Sequence, residues 1–136
     1  MTFSRVAAPR FLAAMALLLL VSVGGCGDDS SPGKDLQVSN QPDSFQFQVT
    51  DTKSYDHTYT YVWANSGTAA TINQSSAITG GDATLLLKDN AGTTVYSKSL
   101  KQNGTFPTIV GVAGNWTIQV LANNVSGTLN FRAQKL

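Results

Sequence analysis

From Phe45 to Ala133 apolar and polar residues alternate with a period of two, and the alternation is broken at short intervals by glycine, asparagine or aspartate. A period of two puts successive side chains on opposite faces of an extended strand, and it cannot build the apolar stripe of a helix. Phe45, Phe47 and Val49 alternate with Ser44, Gln46 and Gln48. Tyr55, His57, Tyr59, Tyr61 and Trp63 fall on one face of a second strand, with Thr58, Thr60, Val62 and Ala64 on the other. Ala70 and Ile72 belong to a third. Ala83–Lys88, Thr94–Leu100, Phe106–Val112, Trp116–Val120 and Leu129–Ala133 supply the rest. The turns between them have fitting chemistry: Asp89-Asn90-Ala91-Gly92, the hairpin signal Asn103-Gly104, and Asn123–Gly127. About eight short antiparallel strands at this spacing predict an all-β chain, a single β-sandwich. Composition agrees. The chain has no Glu, little Leu beyond residue 20 outside Leu85–Leu87, and much Thr, Ser, Asn, Gly and Val, which favours strands over helices.

The first 42 residues are patterned differently. Arg5 and Arg10 precede an apolar run from Phe11 to Val23, the layout of a secretory signal. That run is shorter than the about 20 residues a membrane-spanning helix needs. It ends in Val23-Gly24-Gly25-Cys26, which resembles the lipobox of bacterial lipoproteins, with Val23 where Leu is usual. The resemblance implies cleavage between Gly25 and Cys26, acylation of the Cys26 thiol, and palmitate or similar chains as the membrane anchor. Cys26 is the sole cysteine, so no second thiol competes for it. Two acyl chains hold a protein stably where one does so only marginally. Gly27 follows Cys26 where some bacteria read Asp as an inner-membrane signal, so the outer membrane is favoured where the host has one.

Residues 26–42 are rich in Ser, Asp, Gly and Pro and predict a lipidated cysteine with a flexible tether. A coil of about 16 residues reaches roughly 20–24 Å. The expected division is therefore a signal peptide at 1–25, a tether at 26–42 and a β-sandwich at 43–136. Loss of Arg5 and Arg10 leaves seven cationic against eight acidic side chains, a balance of −1. That gives no electrostatic footprint for nucleic acid.

Three pieces of the second half carry a further resemblance. Leu85–Gly92 looks like a strand followed by an Asp-x-x-Gly turn, Gly114–Val120 like a Gly-x-aromatic strand, and Ser126–Phe131 like a closing strand, all as found in the pre-peptidase C-terminal domain family. The resemblance implies a jelly-roll-like sandwich and an accessory, non-catalytic role.

The residues name little chemistry. His57 is the sole histidine, with Asp56 beside it, but no nucleophile elbow accompanies them. One His and one lipidated Cys do not make a zinc site. Asp51, Asp56, Asp82 and Asp89 fall near expected turns, where aspartate serves turn chemistry as readily as calcium. No catalytic residue, metal or cofactor is assigned, and the chain reads as no enzyme. Tyr59, Tyr61 and Trp63, with Trp116 elsewhere, are the binding candidates: exposed, they offer flat faces to sugars or proteins, and buried, Tyr59, Tyr61 and Trp63 form one sheet's core face. Two functions stay open. One is an envelope-anchored module binding another protein. The other is a carbohydrate-binding module for peptidoglycan or surface polysaccharide that uses those aromatics.

Overall fold

The computed structural model describes residues 35–136; the signal peptide, Cys26 and the first part of the tether lie outside the described residues. Seven antiparallel strands run in chain order: β1 (Asp35–Gln41), β2 (Ser44–Asn65), β3 (Ala70–Gln74), β4 (Ala77–Lys88), β5 (Thr94–Ser99), β6 (Gly104–Pro107) and β7 (Gly114–Lys135). The described chain is all-β, as the period of two predicts.

Two features differ from the sequence reading. Asp35–Gln41, expected within the tether, is a strand paired with β2. It is held by pairing rather than burial, since all seven residues are exposed, and so it lacks the apolar weight that marks a strand in sequence. The second difference is length. β2 and β7 are each 22 residues long, where the sequence suggested a short strand, a turn and another strand.

These long strands make the sandwich by bending in the middle. Phe45 and Tyr61 lie sixteen residues apart on β2, about 50 Å on a straight strand, yet their ring centroids are 5.3 Å apart. Phe47 meets Tyr59 at 5.0 Å in the same way. The strand has therefore folded across its own core. One layer runs β1, the first half of β2, the second half of β7, β3 and β6. The other runs the second half of β2, the first half of β7, β4 and β5.

The bend lies at one level in three neighbouring strands. Register shifts fall between Val49 and His57 on β2, and between Ile78 and Asp82 on β4. Positive φ angles cluster there: Asp51 and Ser54 on β2, Gly81 on β4, Asn124 and Gly127 on β7. Such bends are how a strand passes from one layer of a sandwich to the other. Backbone groups that lose their ladder partners find side chains instead. Asn124 N–H donates to Asp56 Oδ1 at 2.7 Å, Ser54 N–H to Ser126 Oγ at 3.0 Å, and Thr52 Oγ1 to the Gly127 carbonyl at 2.9 Å. Gly127 is required, because a Cβ on it would stand 2.1 Å from the Ala77 carbonyl oxygen.

The core fills the space between the layers: Phe45, Phe47, Trp63, Ile72, Leu85, Leu87, Trp116, Ile118, Leu129 and Phe131 are wholly buried. One polar group crosses it. Gln74 of β3 accepts from Tyr96 Oη of β5 at 2.8 Å, and its amide donates to the Ser99 and Gln102 carbonyls. Burial pushes the Tyr96 phenol up to about 12. With donors and acceptors matched, this network joins the layers without leaving a polar atom stranded.

Candidate functional site

The aromatic candidates belong to the core. Trp63 and Trp116 are fully buried and meet edge to face at 5.9 Å. Their indole N–H groups donate to the Gln41 and Val112 carbonyls. Tyr59 is buried and its hydroxyl shares a hydrogen bond with Tyr55 at 2.9 Å. Desolvation pushes the Tyr59 phenol far above the usual range, and the bond to Tyr55 adds to the rise. Tyr61 is half-buried against Phe45 and Phe47. The four do not form a surface row, so the stacking platform required by the sugar reading is overturned. The physical reason was visible on the other face of β2, where Thr58, Thr60, Val62 and Ala64 point to solvent.

His57 stacks on Tyr55 and meets Tyr59 edge-on at 4.4 Å, with no serine or aspartate hydrogen-bonded to it among the described residues. Among those residues no group of three His, Cys, Asp or Glu side chains comes together. Asp56, Asp82 and Asp89 spend carboxylate oxygens on N–H or O–H donors, which is turn and bend chemistry. Cys26 and Gly25 lie outside the described residues.

The surface that stands out is the segment between β6 and β7. Phe106–Val112 was expected as a strand, but the regular strand ends at Pro107, and after Thr108 the chain turns from β3 toward β5. The chain then crosses the rim of the sandwich, tied to both layers. Thr108 N–H donates to the Ala70 carbonyl of β3, and Ile109 N–H to the Val95 carbonyl of β5. Gly111 N–H donates to the Thr68 carbonyl, and Asn90 N–H to the Val112 carbonyl. Asp89 is the latch. One carboxylate oxygen accepts from Ala91 and Thr93 at 3.0 and 2.8 Å, and the other from Val112 N–H at 2.9 Å. Desolvation raises its pKa, but the amides of Val112, Thr93, Ala91 and Gly92 outweigh that and hold it below the usual carboxylate value. Gly111 lets the loop sit this close, since a Cβ there would come within 2.8 Å of Asp89 Cβ and Val95 Cγ1.

What this fastening holds outward is aliphatic. Ile109 is 63% exposed, Val110 76% and Val112 51%. Leu136, 71% exposed, is tied to the same rim by its N–H to the Ala69 carbonyl. No charged side chain occurs from Gln102 to Phe131. Single exposed aliphatics are ordinary, but several together on a fixed backbone are not. The sequence carried one signal of it. Ile109-Val110-Gly111-Val112-Ala113 breaks the polar–apolar alternation, so a strand there has no solvent face to offer.

The chain is similar to a chain in the crystal structure of accessory secretory protein 1, 2 and 3 in Streptococcus pneumoniae, at 13% identity over 81% of this chain and 92% of that one, with a TM-score of 0.39. No family model matches this sequence, and no curated protein does.

Proposed function

We propose that this chain is a non-catalytic envelope lipoprotein, anchored through acyl chains on Cys26, whose β-sandwich presents the Ile109–Val112 loop to a protein partner. The observation that carries the reading is that loop: three exposed aliphatics on a backbone fixed by Asp89 and four main-chain hydrogen bonds. A surface already held in one shape loses little entropy on binding, and aliphatic side chains gain by leaving water.

Its position argues for a protein rather than the anchoring bilayer. Asp35, where β1 begins inside the expected 26–42 tether, pairs with Thr50 beside the bend. The loop lies at the other end, beyond the level of Gln41 and Lys135. Six residues of strand separate Asp35 from Gln41, about 20 Å. A coil of about nine residues from Cys26 to Asp35 reaches roughly 15–18 Å. A tether of that reach attaches at the bend end, so the aliphatic rim is the end farther from the attachment.

The test places a photo-crosslinking amino acid at Val110 in the full chain, with Thr60 on the outer face of β2 as control. A discrete protein adduct from position 110 and none from 60 is expected. Adducts to lipid at 110, or equal labelling at both positions, overturn the docking reading. Separately, Cys26→Ser should abolish incorporation of labelled palmitate and release the protein from membranes; retained label overturns the anchor.

A further inference from the structure

An open strand edge is a template for another strand, so β-proteins usually blunt it. Among the described residues this sandwich has four edges and blunts three. β5 is covered by the rim loop through Ile109 N–H to the Val95 carbonyl, and Lys98 sits 4.4 Å over the Phe106 ring. β6 has four residues and ends in Pro107. The free edge of the second half of β2 is capped by the β1–β2 turn: Asn40 Nδ2 donates to the Val62 carbonyl at 2.9 Å, and Asp43 N–H to the Ala64 carbonyl at 2.8 Å.

β1 has none of these devices. Its seven residues keep an unbroken register with β2, from Gln41 opposite Ser44 to Asp35 opposite Thr50. It contains no Lys and no Pro, and its sole charge, Asp35, is at the end. The turn fixes which backbone groups are spent. A two-residue turn (here Pro42-Asp43) closes on a hydrogen-bonded pair, Gln41 with Ser44, and such pairs then alternate along the ladder. Ser39, Gln37 and Asp35 therefore bond to β2, and the N–H and C=O groups of Leu36, Val38 and Asn40 point outward. The side chains leave a matching want. Leu36 and Val38 stand opposite Val49 and Phe47, whose side chains are fully buried, yet they are themselves 39% and 38% exposed. The apolar inner face runs one strand past its cover.

We propose that β1 pairs antiparallel with β1 of a second copy about a two-fold axis through Val38. That register sets Val38 against Val38, Leu36 against Asn40, Gln37 against Ser39 and Asp35 against Gln41. Each outward-pointing backbone group meets its complement, about six hydrogen bonds in all. The two Asp35 carboxylates end at opposite extremes, roughly 20 Å apart, so no like charges face each other. The interface is isologous and closes at two copies. In this register the seven residues of one copy are matched along their whole length by the seven of the other, with no charge opposed.

The experiment is sedimentation equilibrium on the full chain in detergent, with cross-linking. The parent protein should be a dimer. Val38→Pro deletes an N–H that points away from β2, so it should give a monomer with an unchanged circular dichroism spectrum. Should that variant fail to fold, Val38→Lys, which leaves the backbone intact and puts a charge on the axis, decides the matter by the same loss of dimer. In a Cys26→Ser background, Val38→Cys should give a covalent dimer with a short bis-maleimide, and a cysteine at Thr60 should not. A monomeric parent, a dimer that survives Val38→Lys, or a dimer lost in Val110→Asp overturns the proposal. The adduct at position 110 expected above is unaffected by Val38→Lys, so this inference and the docking reading fail independently.

Discussion

The two ends of the sandwich both abandon regular ladder pairing, and they do so by opposite means. At the bend, β2, β4 and β7 stay paired while their backbones take left-handed conformations, and side chains such as Thr52, Asp56 and Ser126 accept or donate where the ladder slips. At the rim the ladder has ended, and one carboxylate, Asp89, collects amides from its own turn and from Val112 of the loop. The bend turns exposed polar chemistry inward to make a fold. The rim uses a half-hidden charge to hold apolar chemistry outward. An irregular region built of glycine and positive φ thus speaks of architecture here, and one built around a pinned aliphatic loop speaks of contact.

The contrast can be broken experimentally. The largest effect is expected at the bend. Gly127→Ala sets a Cβ against the Ala77 carbonyl at φ +119° and should cost about 3 kcal/mol. For a domain of this size that is a Tm loss of roughly 12–24 °C; a Tm within a few degrees of the parent would mean the bend tolerates rearrangement.

A smaller effect is expected at the rim, and only in acid. The Asp89 carboxyl is depressed in the fold, so its contribution is complete above the ordinary carboxylate range and is lost as pH falls through the depressed value. Amide exchange at Val112 should accelerate over that acid window, ahead of amides in the β2–β7 ladder. Asp89→Asn should show the fast exchange at neutral pH; equal protection in parent and variant would remove Asp89 as the latch. The smallest effect on stability is at the loop tip. Val110→Asp changes a mostly exposed side chain and should shift stability by less than about 0.5 kcal/mol, while abolishing the protein adduct from a photo-crosslinking residue placed instead at Val112. A large loss of Tm would show that the loop serves packing.

The alternation along Phe45–Val49, Trp116–Val120 and Leu129–Ala133 made the inner faces legible, because period two is fixed by backbone geometry alone. The continuity of β2 and β7 was not legible. Asp51, Ser54, Asn124 and Gly127 have the chemistry of a turn, and sequence cannot say whether a left-handed residue reverses a chain or bends it into the opposite layer. β1 was missed because its stability comes from main-chain pairing that leaves no apolar imprint. The aromatic candidates were half legible: Tyr59, Tyr61 and Trp63 were placed on one face, with Trp116 on another strand, and only packing against Phe45 and Phe47 decided that the face was inward for β2. Phe106–Val112 was read as one strand because an apolar run and a rim loop look alike until Ile109 is seen to bond to β5 rather than β3.

The placement of β7 bears on how the protein is made. Residues 114–135 pair with β2, β3 and β4 and belong to both layers. Everything translated before them lacks its central partner, so neither layer can close while that segment is still inside the ribosome. Folding through such distant pairings is slow. Synthesis in the N-to-C direction therefore delivers last the strand that both layers share, and the two sheets close only once it has emerged.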